Sequence, residues 1–453
     1  MCAKAVIIGG DAAGMSAAAQ IRRVDPTVEV VVFEKTNYAS YASCGMPYYI
    51  AGDIASHEDL LALSKQEIAE RGIDVRYGHC VEEIRPGARR VVGQNRNGQP
   101  FGETYDYLVL ATGGTATRPL WWAEWEGLFT LRSLEDGIAL RAFIEVKRPR
   151  RAVVIGAGFV GLEMVESLAR LGMEVTLVGR SSHLLGDFDR AFAAPVYNAM
   201  HHCGVKLNLA QSVQGLVGHG GRVTHVETDG GRWEADMVLV ATGLEPSAGL
   251  ARAAGLEMGV SGAIAVDDRM RTSRTNIWAA GDCVEVQHVV SGHKVHMPLA
   301  LTANRTGRIA GDQVGSASVG GISAQRFRGT AGTLITRVLD YAMAQTGMSL
   351  SEAKRVGFDA VSFERESRSR ASYYPGSKTL KTRIVVEVRT RRLLGAQMVG
   401  EEGVVGRIDA LATALFARMT VDEVHNLDLA YAPPFGPVYD AIIDVCGKAA
   451  LEL

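Results

Sequence analysis

The sequence predicts an α/β fold in which two strand, glycine turn, helix, strand units, one inserted within the other, precede a C-terminal α+β domain. Three observations predict it. The first unit runs from Ala5-Val6-Ile7-Ile8 through Gly9-Gly10-Asp11-Ala12-Ala13-Gly14 and a small-residue helix to Val28-Glu29-Val30-Val31-Val32-Phe33-Glu34. The second repeats the plan from Ala152-Val153-Val154-Ile155 through Gly156-Ala157-Gly158-Phe159-Val160-Gly161 to Val175-Thr176-Leu177-Val178. Each unit is followed by an apolar strand that runs into Ala-Thr-Gly, at Ala111-Thr112-Gly113 and at Ala241-Thr242-Gly243. Such units are Rossmann-like βαβ motifs, whose tight turn delivers a phosphate to a helix N-terminus.

In the first turn, glycine is demanded where the backbone bends sharply and must approach a pyrophosphate without a Cβ in the way. Gly9 and Gly14 meet that need, while Asp11 stands where the usual fingerprint has its middle glycine. Glu34, about 20 residues on at a strand end, is placed to accept hydrogen bonds from ribose hydroxyls. The second fingerprint is complete, with Gly156, Gly158 and Gly161. Its strand ends in Gly179-Arg180 instead of an acidic residue. A carboxylate there would repel a 2′-phosphate and a guanidinium would bind it, which favours NADPH over NADH. A strand at Asn276-Ile277-Trp278-Ala279-Ala280-Gly281-Asp282 is read as returning to the first unit. The expected domains are therefore 1–117 with 245–320, then 118–244, then 321–453. The last is expected to be β-rich, with strands around Leu334-Ile335-Thr336, Thr382 to Val388 and Leu393 to Val399 before a helix from Val405 to Met419.

Composition excludes several classes. At 453 residues the chain exceeds what one core usually serves, so two or three domains are expected. A formal net charge of −2, with no long single-sign run, argues against a nucleic acid or a membrane surface as partner. No apolar run reaches the roughly 18 to 20 residues that span a bilayer. The N-terminus enters a strand at once, without the features of a signal peptide, so a cytoplasmic protein is expected. The cysteines form no Cys-x-x-Cys pair and no histidine spacing suits zinc, so no metal site is expected. Most cysteines are read as ordinary buried side chains, and the histidines, His201-His202 included, as surface residues.

Cys44 is the exception. It lies in Ser40-Tyr41-Ala42-Ser43-Cys44-Gly45-Met46-Pro47-Tyr48-Tyr49, a loop entering a helix just after the first unit. A helix N-terminus and a nearby flavin would both favour the reactive thiolate. Here the sequence resembles the pyridine nucleotide-disulfide oxidoreductases, and within them the single-cysteine branch of coenzyme A-disulfide reductases, NADH oxidases and persulfide reductases. The resemblance rests on Gly9 to Ala18, Ser43 to Tyr48, Ala280-Gly281-Asp282 and Ala430-Tyr431-Ala432-Pro433-Pro434-Phe435. It implies FAD in the first unit, NADPH or NADH in the second, and a homodimer built by the C-terminal domain. Members with two redox cysteines carry the second five positions on, where this chain has Tyr49.

The residue roles follow from the resemblance. Cys44 is the implied redox residue, forming a mixed disulfide with coenzyme A, helped from the partner subunit by tyrosines matching Tyr373 and Tyr431, with Tyr374 an alternative to Tyr373. FAD contacts are implied for Gly9, Gly10, Ala13, Gly14, Glu34, Lys35 and Ser43. They extend to Thr112, Gly113, Gly281, Asp282, which would hold the ribityl chain, and Pro298, Leu299 and Ala300. The dinucleotide is implied to meet Gly156, Gly158, Phe159, Val160, Gly161, Glu163, Arg180 and Gly243, with Phe159 and Glu163 lining the nicotinamide slot. Coenzyme A is implied to contact Ser16, Gln20, Arg23, Ser40, Ser43 and Asn304, although Ser43 departs from the asparagine common beside this cysteine. Coenzyme A disulfide is the leading substrate, with persulfide or polysulfide beside it. Oxygen, reduced through a Cys44 sulfenic acid, and an electron-transfer protein partner remain as alternatives.

Overall fold

The computed structural model describes residues 2–453. Lys4–Ile8, α1 (Ala12–Val24) and Glu29–Glu34 form the first βαβ unit, and the strand residues are almost all buried, with Val and Ile in their centres. This unit seeds a parallel five-stranded sheet in the order Ile277–Ala279, Tyr107–Leu110, Lys4–Ile8, Glu29–Glu34, Ile73–Tyr77. The strand at 277–279 therefore returns to the first sheet, as its apolar run into Gly281-Asp282 suggests. A short helix, α2 (Met46–Ala51), follows the cysteine loop.

The second sheet repeats the arrangement around α3 (Phe159–Arg170). It too is parallel, in the order Lys206–Leu209, Glu174–Gly179, Arg151–Ile155, Met237–Val240, Leu128–Phe129. The correspondence reaches individual hydrogen bonds. Gly9 N donates to Phe33 O (2.9 Å) as Gly156 N does to Val178 O (2.7 Å), and Ala111 N to Ile8 O as Ala241 N to Ile155 O, both at 2.8 Å. At both turns the glycine φ is positive, +106° and +115°, and a Cβ would collide with the carbonyl of the following Ala-Thr-Gly segment. Each sheet carries a three-stranded antiparallel flap, at residues 79–104 and at residues 213–234. The chain passes between the two units through a two-stranded antiparallel ribbon, Gly114–Ala116 against Leu244–Pro246.

α4 (Ala300–Ser318) lies along α1. Cβ atoms at Gly307 and Gly311 would run into the backbone carbonyls of Ala13 and Ala17, so only glycine lets the two helices approach this closely. The C-terminal region is a five-stranded antiparallel sheet ordered Leu334–Val338, Tyr341–Gly347, Leu393–Gly400, Thr379–Glu387, Ala360–Arg368, with helices Val404–Ala417 and Ala441–Glu452. Two of its strands are not evident from the sequence. Tyr341–Gly347 holds an Ala-Met-Ala core, and Ala360–Arg368 ends in the charged outer edge that sheets use against edge pairing.

Two expectations are corrected. Of the cysteines other than Cys44, only Cys283 and Cys446 are buried, while Cys2, Cys80 and Cys203, at a tail, a strand and a helix end, are open to solvent. His288 is 4% exposed, so the histidines are not all surface groups. Its Nδ1 is 3.1 Å from Ser291 Oγ, and burial depresses its proton affinity.

Candidate active site

The first turn is held by Glu34. Its carboxylate is buried and accepts from Gly10 N (2.8 Å) and Thr36 N (2.7 Å), so the group expected to meet a ribose is fixed by the turn itself. Lys35 beside it points to solvent. Thr112 donates to Ser247 O at 2.6 Å, and Gly281 N donates to Thr306 Oγ1 at 3.0 Å. These bonds tie Thr112 to the segment after the ribbon and Gly281 to α4, while the Ala111 carbonyl lies against Gly9 and Ala13 lies against Gly281. Leu299 is the N-cap of α4, so Pro298, Leu299 and Ala300 enter the site through that helix.

Arg132, which sequence reasoning missed, joins these segments. It donates to Gly114 O at 3.1 Å and to Asp282 Oδ2 at 3.2 Å, and it faces Asp11. Its only local signal is that it precedes the Ser133/Asp136 capping box, which would not distinguish it from any surface arginine. Asp11 caps no helix N–H with its side chain, and its buried Oδ1 has no hydrogen-bond partner. Burial raises its pKa to about 6, against the pull of Arg132. Asp282 is pushed up for the same reason, and Arg132 and His296 oppose it. A glycine cradle, one arginine, buried carboxyls and an orphaned oxygen fit a dinucleotide cofactor with an anionic centre and hydroxylated arms.

Cys44 sits in a 3-10 turn, Ser43–Gly45, leading into α2. The loop is tied to the first fingerprint, because Ser40 N donates to Gly10 O at 2.8 Å. Ser40 pays for that bond with φ +54°, a left-handed conformation uncommon outside glycine and often found at working sites. Ala62 N to Ser40 O (2.7 Å) and Ala42 N to Leu60 O (2.8 Å) secure the other side. The thiol is open to solvent, yet the surrounding walls push its pKa up. After that desolvation, the next cause is the charge of Glu163, and the Ser43 hydroxyl opposes both. In the chain alone these effects outweigh the six-residue α2, and the thiolate expected from sequence rests on a flavin as well. Tyr49 is buried, with Arg141 4.4 Å above its ring, so the position five after Cys44 is a packed aromatic.

Glu163 comes from the second unit, near the start of α3. It accepts from Thr336 Oγ1 at 3.1 Å, and burial raises its pKa. Val160, one residue into α3, is exposed, and Phe159 is half-buried. The second glycine turn opens on a cleft of about 690 Å³ lined by Gly156, Gly158, Arg180 and Gly243 among others. A Cβ on Gly158 would meet nothing within 4 Å, so the turn faces open space.

The residues expected to meet coenzyme A fall in two groups. Ser16, Gln20 and Arg23 follow helical spacing along one face of α1, beside α4. Ser16 donates to Asn304 Oδ1 (2.8 Å) and Gln20 to Asp312 Oδ1 (2.9 Å), while Arg23 bonds Gln20. Ser40 and Ser43 belong to the cysteine loop. Tyr373 and Tyr431 lie in the C-terminal region with their hydroxyl oxygens 3.2 Å apart, both exposed, and Tyr374 packs instead against Arg370. No group of three or more potential metal ligands occurs among the described residues, and no helix is long and apolar enough to cross a membrane.

A model described as pyridine nucleotide-disulphide oxidoreductase matches residues 3–307, and the corresponding dimerisation domain matches residues 335–441. A curated relative from Pyrococcus abyssi, named NAD(P)H sulfur oxidoreductase (CoA-dependent), is 38% identical over 97% of this chain and 96% of its own. The coenzyme A disulfide reductase of Staphylococcus epidermidis is 31% identical over 97% of this chain and 98% of its own. Among solved structures, a NAD-dependent persulfide reductase from A. fulgidus superposes with a TM-score of 0.94 at 37% identity, covering 99% of this chain and 83% of that one.

Proposed function

The chain belongs to the pyridine nucleotide-disulphide oxidoreductase family, and from that premise we propose that it reduces coenzyme A disulfide at the expense of NADPH, through Cys44 alone. As a member it is an oxidoreductase that uses FAD and NAD(P)H. We assign residues 1–117 with 245–320 to the flavin domain, 118–244 to the NAD(P)H domain and 321–453 to a domain that pairs two copies. Coenzyme A persulfide and polysulfide are further acceptors by the same chemistry, in keeping with the names of the relatives.

One observation carries the reading. The Cys44 loop is hydrogen-bonded to the first glycine turn while Cys44 lies in the field of Glu163 from the second unit, which supports a single thiol working between the two proposed nucleotide sites. With Tyr49 five positions on, the sulfur partner of Cys44 comes from outside the polypeptide. In the cycle, the Cys44 thiolate attacks one sulfur of the disulfide, forms a mixed disulfide with one coenzyme A and expels the other as a thiolate. Bound FAD supplies two electrons, received as hydride from NADPH, to break that mixed disulfide. One disulfide, one NADPH and one proton thus give two thiols and NADP⁺.

The chain's residues serve these steps. Gly9, Gly10, Ala13 and Gly14 let the backbone approach the pyrophosphate, Arg132 offsets its charge, and Asp282 orients the hydroxylated arm. Gly156, Gly158, Gly161 and Gly243 shape the second cleft, with Arg180 at the 2′-phosphate and Phe159, Val160 and Glu163 on the nicotinamide side. Ser16, Gln20, Arg23 and Asn304 guide coenzyme A toward Ser40, Ser43 and Cys44. Tyr373 and Tyr431, paired through their hydroxyls, donate a proton to the expelled thiolate when a second copy brings them to this site.

The test is anaerobic turnover with coenzyme A disulfide and NADPH, with mass spectrometry of the untreated protein. Two thiols per NADPH and a reducible adduct of coenzyme A mass on Cys44 are expected. Cys44→Ser keeps the bleaching of the flavin by NADPH and loses thiol release. Undiminished thiol release by that variant, or NADPH consumption only in the presence of oxygen, overturns the reading.

A further inference from the structure

The segment 117–125 carries three of the chain's five tryptophans, Trp121, Trp122 and Trp125. It leaves the two-stranded ribbon, and its Thr117, Pro119 and Trp121 line the second cleft. Thr117 N donates to Gly243 O (3.1 Å) at one end and Glu126 N to Gly221 O (2.9 Å) at the other, and Trp122 N closes a turn on Pro119 O (2.9 Å). Pinned at both ends, the segment is held against the cleft.

All three indoles are half-buried and pack in part against the apolar cluster around Ile155, Val178 and Val240, and two of them make further contacts of their own. Trp122 donates from Nε1 to Glu124 Oε1 at 3.1 Å and carries the Arg118 guanidinium 4.8 Å above its ring. Trp125 packs over Gly218, where a Cβ would lie 2.9 Å from the indole. Trp121 alone of the three lines the cleft, with Gly158, Arg180, Gln211 and Val213. Gln211 N is bonded to Gly179 O at 3.0 Å, so these groups cluster at the end of the strand that carries Arg180. A half-buried aromatic that packs on the core and also lines a cleft between an arginine and a glycine turn suits a planar heterocycle, since every base has a π-face to stack on.

We infer that Trp121 is the aromatic wall of the adenosine half of the NAD(P)H site and stacks on the adenine ring. The inference rests on reading this cleft as the dinucleotide site. It makes Trp121 a binding residue that grips both NADPH and NADH, while Arg180 discriminates between them. Neither the hydride nor the sulfur chemistry needs the indole.

The test uses the FAD-loaded protein and two probes: 2′,5′-ADP, which carries the adenosine half, and reduced nicotinamide mononucleotide, which lacks it. Binding of 2′,5′-ADP is followed by calorimetry and by quenching of tryptophan fluorescence. Trp121→Ala is expected to weaken 2′,5′-ADP by about tenfold, the scale of one base-to-aromatic stack, and to abolish most of the quenching. Trp121→Phe restores most of the affinity, and Trp122→Ala leaves it unchanged. The kcat/KM for the reduced mononucleotide stays at the wild-type value, and with NADPH the loss appears in KM and not in kcat. Unchanged 2′,5′-ADP affinity in Trp121→Ala overturns the inference and leaves the proposed function standing. Equal losses for both probes overturn the adenosine assignment. Failure of the wild-type protein to bind 2′,5′-ADP overturns the reading of the cleft as well.

Discussion

Thr336 of the C-terminal region donates a 3.1 Å hydrogen bond to Glu163, and Glu163 in turn raises the pKa of the Cys44 thiol. A side chain from the third sheet thus conditions a carboxylate of the second unit that acts on the cysteine of the first. Because the charge of Glu163 disfavours the thiolate, Glu163→Gln moves the pH midpoint for alkylation of Cys44 by iodoacetamide downward. The measurement is the alkylation rate against pH on reduced, coenzyme A-free protein. A midpoint that stays put or rises would refute the coupling.

Asp11 is raised from the ordinary carboxylate value of 3.8 to about 6, chiefly by burial. The folded chain then holds this proton more tightly than the unfolded one, so the contribution of Asp11 falls as pH rises from about 4 to about 6 and is level above that. The difference is roughly 3 kcal/mol at neutral pH. In FAD-free protein, Asp11→Asn is expected to raise Tm by several degrees at pH 7 and to give no gain at pH 4. Thermal melts at the two pH values decide, and an equal gain at both would point to a cause other than the charge.

Gly311 allows α4 to lie against the backbone of α1. Gly311→Ala pushes the helices apart and draws Asn304 from Ser16. A loss of about 1 to 3 kcal/mol in urea unfolding is expected, the range for overpacking a tight contact. Weaker binding of coenzyme A should accompany it. Full stability in the variant would mean that the helices separate at no cost.

Around Tyr431, the residues Phe435, Val438 and Tyr439 are 80%, 66% and 73% exposed, and Tyr373 joins them through its bond to Tyr431. Such an exposed apolar cluster marks an interaction surface. Phe435→Asp with Tyr439→Asp is expected to convert the dimer to monomer in sedimentation velocity. Thiol release should drop with it while flavin bleaching by NADPH persists. A dimer that survives both charges would locate the interface elsewhere.

Arg180 is exposed at the end of Glu174–Gly179. Arg180→Glu replaces attraction for a 2′-phosphate by repulsion. The KM for NADPH should rise by at least tenfold while that for NADH changes little. Parallel changes for both dinucleotides would remove Arg180 from the 2′-phosphate site.

Much of the molecule is legible because its motifs are local. A strand, a glycine turn and a helix lie within about 20 residues, so Gly9 to Glu34 and Gly156 to Gly179 can be read as units, and their repetition exposes the two-unit plan. The sheets bear this out through parallel pairing in both units. What escaped is non-local or chemically ordinary. Arg132 acquires its place only when the segment before Leu134–Lys147 folds against Gly114 and Asp282. Thr336 matters to Cys44 only through Glu163. The flaps at 79–104 and 213–234 are short, polar strands whose alternation is blurred by register shifts at Val81/Glu83 and Val217/Gly218. The balance at Cys44 is hidden from the sequence for a related reason, since desolvation and a distant carboxylate are set by tertiary packing.

The ribbon formed by Gly114–Ala116 and Leu244–Pro246 sets the exit and re-entry of the intervening chain side by side. A segment tethered in this way behaves as a cassette, because its ends are already adjacent whatever it contains. Exchange of that cassette between relatives, spliced at the ribbon, would transplant coenzyme preference while the flavin turn and the Cys44 loop keep their own hydrogen bonds. On the proposed domain assignment, an exchanged cassette would carry Glu163 with it, so it fits a new host only if its carboxylate still meets Thr336 and the Cys44 loop.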